Sequence, residues 1–250
     1  MATLMKGRWR SGLAISLLVL VGAPGAFPLD YAGDVFSLEI WKLTIPLDDD
    51  GDGAADEVTM PTLRKFEDPG FFLLSKTGDS ILFRARCGDA TAAGSSSPHS
   101  QLREIKKNTE TPASWGARDG QAHNLTITLA VNAVPKTKPH VVAAGVYAGD
   151  EEILTICLEG TKLLLKCLDF ETITLEETYL PGTKVDLMIL IDKGRIRAFR
   201  GSTELKEWPC EKSGLHFRAG CEVLSVPGGD PTVDFGEVEI PKLFVTHKPE

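Results

Sequence analysis

The sequence predicts an all-β sandwich or barrel, and two features carry that prediction. The first is the strict alternation of apolar and polar side chains, clearest at residues 125–132, where Leu125, Ile127, Leu129 and Val131 fall on one face. The second is the regular recurrence of turn sequences such as Glu159-Gly160 between short apolar stretches. Helical periodicity is almost absent after residue 26, and no break in composition suggests a second domain.

The predicted strands follow one another along the chain, with turn sequences between them. In the first half they cover residues 36–41, 71–75, 81–87, 125–132 and 140–147. In the second half they cover residues 153–158, 162–168, 184–191, 195–200, 215–224, 233–240 and 243–247. Residues 88–98, which are rich in Gly, Ala and Ser, predict a mobile loop ahead of the strand that begins near residue 99.

The first 26 residues have the features of a secretory signal peptide. Lys6, Arg8 and Arg10 precede an apolar run at residues 13–21, and small residues follow it. The run is shorter than the ~20 residues that span a bilayer, although an uncleaved membrane anchor is the alternative interpretation. We therefore expect one domain at residues 27–250, secreted to the extracellular space and free of the membrane after cleavage.

The segment after residue 26 is acidic. The chain has 27 Lys and Arg against 35 Asp and Glu, and three of the basic residues lie in the predicted signal peptide. Such a chain lacks the global basic surface of a nucleic-acid-binding protein. If it binds an acidic polymer, it must concentrate positive charge in a local groove.

The cysteines and acidic residues indicate no cofactor, and we assign no metal ligand. The five cysteines contain no Cys-x-x-Cys pair, which disfavours zinc ribbons and thioredoxin-type sites. The preferred disulfide joins Cys210 to Cys221 across a turn at Ser213-Gly214. Residues 48–56 resemble the first half of a calcium loop, but Thr59 stands where an EF-hand has its bidentate glutamate. An ordinary acidic turn is the preferred interpretation, with a calcium site as the alternative.

Five segments, in order, resemble those of polysaccharide lyase family 7, the alginate lyases. Residues 41–46 (WKLTIP) look like the family's opening strand, and residues 97–104 (SPHSQLRE) are similar to its RSELRE strand. Residues 141–163 resemble its QIH and RLEG stretch, residues 216–221 (HFRAGC) its YFKAG strand, and residues 235–247 its closing strands. The resemblance implies a β-jelly-roll sandwich with a concave groove. It also implies an acidic polysaccharide partner, alginate or another polyuronate.

The reaction of that family is β-elimination at a uronic acid, which requires three groups. The sugar carboxylate must be neutralised so that the neighbouring C–H becomes acidic, a base must remove that proton, and an acid must protonate the departing oxygen. In the family an Arg and a Gln neutralise the carboxylate, while a His and a Tyr transfer the protons.

Carried over by position, several of these groups are replaced in this chain. The first Arg of RSELR falls on His99 and its Glu on Gln101, while the second Arg is kept as Arg103. The Gln of QIH falls on Gly145 and its His on Tyr147.

The YFKAG strand is altered in the same way. Its Lys falls on Arg218, the following Tyr on Glu222 and the later Gln on Leu224. The resemblance therefore gives His99, Tyr147 and Arg103 as candidate catalytic residues, and Gln101, Arg218 and Glu222 as candidate substrate-binding residues. His99 or Tyr147 is the candidate base, and Tyr147 is also the candidate acid if nearby cations lower its pKa.

Three functions are compatible with this pattern. An altered lyase would bring His99, Tyr147 and Arg103 to one point in an open groove. A non-catalytic polysaccharide-binding or cell-surface protein would keep the groove without a convergent acid–base pair. A protein that interacts with other partners and binds no glycan would have a groove that is filled or closed by loops. Gln121 and His123 also form a QxH sequence, but they stand at a strand start where a structural histidine is the preferred interpretation.

Overall fold

The computed structural model describes residues 31–224 and 234–249. The predicted signal peptide lies outside the described residues. Within those two ranges no helix is both long enough and apolar enough to cross a bilayer.

Within residues 31–224 and 234–249, fifteen strands form two antiparallel sheets, which we call the front and back sheets. The front sheet contains β1 (Trp41–Thr44), β2 (Glu57–Val58), β5 (His99–Glu104), β7 (His140–Ala148), β8 (Glu151–Glu159), β9 (Lys162–Cys167), β10 (Ile173–Glu176) and β14 (Leu215–Val223). The back sheet contains β3 (Phe72–Leu74), β4 (Ile81–Arg86), β6 (Gln121–Ala133), β11 (Val185–Asp192), β12 (Arg195–Arg200), β13 (Thr203–Pro209) and β15 (Phe235–Pro249). A four-residue helix, α1 (Ala32–Val35), and a 3-10 turn (Thr62–Lys65) complete the described secondary structure.

The strand order brings distant parts of the sequence together. It runs β10-β9-β8-β7-β14-β5-β1-β2 in the front sheet and β13-β12-β11-β6-β15-β4-β3 in the back sheet. Strands β7, β14 and β5, which carry the candidate residues, are therefore adjacent. This arrangement confirms the predicted all-β sandwich.

Alternation along each strand builds the core between the two sheets. The side chains of Leu125, Ile127 and Leu129 on β6 are fully buried, as is Phe217 on β14. Burying each such side chain contributes roughly 1.5–3 kcal/mol, so the register of these strands is strongly fixed. The intervening residues of the front sheet must then point to its outer face.

The predicted strand at residues 36–41 is wrong over most of its length. Only Trp41 belongs to a strand, while Ala32–Val35 form a helix turn and Phe36 donates its N–H to the Ala32 carbonyl. Phe36 and Leu38 are nevertheless buried in the core. The apolar pattern at residues 36–41 therefore predicted the buried side chains correctly but predicted the wrong backbone conformation.

The predicted Cys210–Cys221 disulfide is also wrong, because all five cysteines are free thiols. Cys221 lies within β14 and is fully buried between the sheets. Cys210 directly follows β13 at the edge of the back sheet and lines a cavity together with Cys167. The turn at Ser213-Gly214 passes the chain from one sheet to the other, and β14 then carries Cys221 away from Cys210.

Candidate active site

The register of three adjacent front-sheet strands places the candidate residues beside one another. Arg103 pairs with Arg218, and Arg218 pairs with Gly145. His99 pairs with Glu222 in a second row, and Tyr147 pairs with His216 in a third row that joins β7 and β14. Residues two apart on a strand share a face, so all six candidates lie on the outer face, opposite core residues such as Phe217.

Two glycines allow this close arrangement. A Cβ on Gly220 would lie 2.3 Å from the Ser100 carbonyl oxygen and 2.6 Å from Gln101 Cα. A Cβ on Gly145 would lie 2.4 Å from the Leu154 carbonyl oxygen and 3.1 Å from the Tyr147 ring. A glutamine at position 145, which the resemblance places there, therefore does not fit this backbone.

A pocket of about 130 Å³ opens over this part of the sheet. Its floor comes from β1, β5 and β14, and the loop of residues 88–98 covers one side. The residues around it are Thr44, Glu57, Ala92, Ala93, Ser95, His99, Gln101, Arg103, Asp150 and Arg218. The site is thus a small covered pocket on the sheet, and Tyr147 and Glu222 do not line it.

His99 is held as a neutral imidazole in this pocket. It is only 6% exposed, and its Nδ1 lies 2.9 Å from the Ser97 carbonyl oxygen. Since a carbonyl only accepts hydrogen bonds, Nδ1 carries the proton and Nε2 carries the lone pair. Burial lowers the pKa of His99, the Ser97 hydrogen bond opposes that effect, and Arg218 lowers the pKa further. His99 therefore offers a basic nitrogen at neutral pH.

Gln101 and Arg103 bring polar groups that make no hydrogen bond of normal geometry with the protein. Gln101 is 2% exposed, and its Nε2 makes no such hydrogen bond with the described residues, although the Gln101 side chain lowers the pKa of the neighbouring Tyr147 hydroxyl. The Nε of Arg103 is likewise buried and without a partner there. Leaving such groups unpaired costs roughly 1–3 kcal/mol each, which favours a site that a hydrogen-bond acceptor completes on binding.

Arg218 is fixed by the protein itself. Its Nε donates to His216 Nε2 at 3.0 Å, and its Nη2 donates to the Gly149 carbonyl and to Asp150 Oδ1, each at 2.8 Å. The guanidinium carbon lies 4.3 Å from the centre of the Tyr147 ring, a cation–π contact. Arg218 thus supplies a positive field at the pocket with most of its donors already occupied.

Tyr147 is sealed beneath this arginine. It is 1% exposed, and its hydroxyl makes no hydrogen bond of normal geometry with the described residues. Burial raises the pKa of Tyr147 well above its usual value, and Glu222 and Glu152 act in the same direction. Tyr147 would need a pKa lowered by nearby cations to transfer a proton. Its pKa is raised instead, although Arg218 opposes that increase.

Glu222 lies opposite His99 on β14 and is partly buried. Burial, followed by the nearby Glu152 carboxylate, raises the pKa of Glu222 to about 7. Neither Arg103 nor Arg218 forms an ion pair with it. Glu222 is thus a carboxyl group that holds its proton more tightly than usual and stands outside the pocket wall.

His216 is the residue that sequence reasoning missed. It is 1% exposed, and burial together with Arg103 and Arg218 lowers its pKa to about 3, so it stays neutral and accepts from Arg218. Its alternation with Arg218 in the HFRAG segment was the available signal, because residues two apart share a face. His216 lies behind the pocket wall, whereas Asp150 and Glu57 line the pocket and come from a turn and an edge strand that gave no comparable signal.

Two other sequence features lie away from this pocket. His123 is on β6 of the back sheet, with one ring nitrogen 3.0 Å from Asp119 Oδ1 and the other 2.6 Å from His247 Nδ1. His123 is therefore a hydrogen-bonded structural histidine, which is the interpretation that the sequence favoured. Asp48, Asp50 and Asp52 bring carboxylate oxygens within 4.8 Å of one another in an exposed turn. Each also accepts a backbone N–H of that same turn.

The two-sheet fold and the arginine-lined pocket on its front sheet match a β-jelly-roll of the polysaccharide lyase class. A family model described as alginate lyase matches residues 36–168. The chain belongs to this alginate lyase family.

Individual relatives agree with that assignment. An alginate lyase of Klebsiella pneumoniae is 31% identical over 103 residues, which are 41% of this chain and 34% of that protein. The match thus spans about a third of that relative's length. Alginate lyase AlgAT5 of polysaccharide lyase family 7 is 31% identical, with a TM-score of 0.80 over 87% of this chain and 99% of its own.

Two further solved structures share the fold. The alginate lyase from Corynebacterium sp. is 28% identical, with a TM-score of 0.81 over 88% of this chain and 99% of its own. Alginate lyase A1-II′, crystallised in complex with substrate, is 18% identical, with a TM-score of 0.74 over 89% of this chain and 99% of its own. These neighbours confirm the jelly-roll fold inferred from the sequence.

Proposed function

We propose that this protein is a secreted polysaccharide lyase that cleaves an acidic glycan by β-elimination with an altered set of catalytic groups. The supporting observation is that a neutral histidine and two unpartnered donors line one pocket. His99 offers Nε2 as a base, and Gln101 Nε2 and Arg103 Nε offer hydrogen bonds to a carboxylate. Family membership and a solved relative with bound substrate give the proposal its substrate class.

The proposed reaction assigns one task to each group. Gln101 and Arg103 bind the uronate carboxylate, so negative charge developing beside it is stabilised. His99 Nε2 removes the proton from the adjacent ring carbon. The electron pair forms a carbon–carbon double bond as the glycosidic oxygen departs. Because Tyr147 does not reach the pocket, solvent water protonates that oxygen, and Tyr147 acts by supporting Arg218.

The alternative is a non-catalytic protein that binds the same glycan. The burial of Tyr147 is the observation that favours it, since the family's second proton-transfer position then has no access to substrate. Both proposals require the carboxylate to bind at Gln101 and Arg103, and they differ only in whether His99 takes a proton.

Ultraviolet absorbance of the unsaturated uronate product tests the proposal directly. Purified protein would be mixed with alginate and with other uronate-containing glycans. We expect absorbance to rise for the wild type and to slow by about 10²–10⁴-fold in His99→Ala, the usual contribution of a general base. His140→Ala is the matched control, because His140 lies on β7, paired with Glu159 and outside the pocket.

Binding measured in parallel separates the two functions. Retained glycan binding with no product, in folded wild-type protein, would establish the non-catalytic alternative. Binding that survives Arg103→Ala and Gln101→Ala unchanged would refute the carboxylate site that both proposals share.

A further inference from the structure

The charges around the pocket are largely compensated before any ligand arrives. Arg218 pairs with Asp150 at 2.8 Å, and Lys42 on β1 pairs with Glu57 at 2.6 Å. Arg103 is the pocket cation that has no ion pair within the described part of the chain. The pocket therefore has the charge to hold one carboxylate.

An acidic basin adjoins the pocket on its β1–β2 side. This cavity of about 830 Å³ shares Glu57, Ala92 and Ala93 with the pocket wall. Seven carboxylates surround it: Asp49, Asp50, Asp52, Asp56, Glu57, Glu67 and Asp68. Its wall contains no Lys, Arg or His, and Glu57 is the member with a salt bridge among the described residues.

On the other side, the row of paired residues that contains His99 carries no Lys or Arg among the described residues. The row that starts at His99 continues through Glu222, Val142, Cys157 and Leu164 on successive strands. Its last three members form an apolar cluster of their own, separate from the core. A ligand that extends from the pocket across this row meets a carboxyl group and then apolar side chains.

We infer that the pocket selects a uronate flanked by uncharged sugars, and that the acidic basin disfavours glycans with consecutive uronates. In a contiguous polyuronate every sugar carries a carboxylate, so a sugar beside the bound one meets the basin on one side or Glu222 on the other. Like charges at such short range repel, and the repulsion is strongest at low ionic strength. A neutral sugar in either position meets no such repulsion. This inference rests on the proposed function, since it assumes that Arg103 and Gln101 bind a uronate.

Calorimetric titration with two matched oligosaccharides tests the inference. One is a contiguous oligouronate prepared from alginate, and the other, of equal length, carries a single uronate among neutral sugars. Both are titrated at low ionic strength with a chelator present, so that no divalent cation neutralises the basin. We expect the singly charged oligosaccharide to bind the wild type about tenfold more tightly.

A neutralised basin should abolish that preference. The variant Asp49→Asn/Asp50→Asn/Glu67→Gln removes three exposed basin charges and leaves the pocket intact. The matched control, Glu171→Gln/Asp186→Asn/Glu204→Gln, removes three exposed charges that line neither cavity. The basin variant should bind the contiguous oligouronate about tenfold more tightly than the control does.

The outcomes separate this inference from the function on which it rests. Equal or tighter binding of the contiguous oligouronate by the wild type, or an unchanged preference in the basin variant, overturns the selectivity alone. Absence of binding to either oligosaccharide refutes the proposed uronate site itself.

Discussion

His99 is the residue whose chemistry the pH dependence of the reaction would report. Its folded pKa lies below 6.5, mainly because of burial, so it remains an unprotonated base at neutral pH and somewhat below. We expect kcat/KM to be flat from pH 8 to about pH 6.5 and to fall only at lower pH, when Nε2 takes a proton. A rate that instead rose steeply above pH 8 would point to an ionised tyrosine and contradict His99 as the base.

Glu222 gives a second prediction at this scale, in stability. Because its pKa is about 7 when folded against 4.5 ordinarily, the native state holds a proton that the unfolded chain releases. Stability is therefore lost as pH rises from about 4.5 through 7. Glu222→Gln removes that loss, and we expect the free energy of unfolding at pH 8 to increase by about 1–2 kcal/mol after allowance for partial exposure.

Urea denaturation at pH 8 and at pH 4.5 measures the effect. At pH 4.5 the substitution should bring little gain, since the native carboxyl group is protonated there. Glu204→Gln, on the exposed surface of β13, is the control. A gain of equal size at both pH values would show that packing, and not ionisation, causes it.

At the scale of the elements, a chain of polar side chains joins the two sheets at one end, with Glu104 and His123 buried and His247 more exposed between them. Glu104 of β5 accepts hydrogen bonds from Trp115 Nε1 and the Phe217 N–H, and its other oxygen lies 2.6 Å from His247 Nε2 of β15. His247 in turn contacts His123 of β6 through Nδ1. Since one ring must donate and the other accept, each member depends on the next.

Removing the central histidine should therefore destabilise the sandwich. His247→Ala leaves an oxygen of buried Glu104 and a ring nitrogen of His123 unpaired, at a cost of roughly 1–3 kcal/mol. Thermal unfolding against Lys248→Ala, its exposed neighbour on the same strand, provides the comparison. If the two variants melt together, the chain of hydrogen bonds contributes nothing measurable.

Elements also show how far sequence reasoning reached. Alternation predicted β6, β7 and β14 well, because burial of one face of a strand leaves a period of two in the sequence. The prediction of a strand at residues 36–40 was wrong because a turn can bury Phe36 and Leu38 as well as a strand can. The site strands were predictable through the family motifs, whereas Asp150 and Glu57 enter the pocket through tertiary placement, which no local pattern encodes.

Across the whole molecule, the histidines act together. Burial lowers the pKa of His99, His123, His140 and His216, the last to about 3. Below about pH 6.5 the unfolded chain takes up protons on these residues while the native state does not. The unfolded state then binds more protons. The contribution of the neutral histidines to the free energy of unfolding is therefore complete above pH 6.5, and it is lost as the pH decreases through their folded pKa values.

This acid-side loss can be isolated experimentally between pH 6.5 and 5. Ordinary carboxylates titrate below that window. Glu222, whose pKa is about 7 when folded and 4.5 ordinarily, contributes a slope of opposite sign across the window, and working in Glu222→Gln removes it. Each histidine that stays neutral when folded contributes a slope approaching ~1.4 kcal/mol per pH unit at the acid end. Adding His140→Gln removes one of the four, and the slope measured by urea denaturation should decrease by that residue's share. A free energy of unfolding that stays constant from pH 6.5 to 5 would mean that the buried histidines take up protons as readily in the folded protein as in the unfolded chain. The lowered pKa of His99, which keeps it an unprotonated base below pH 6.5, would then be contradicted as well.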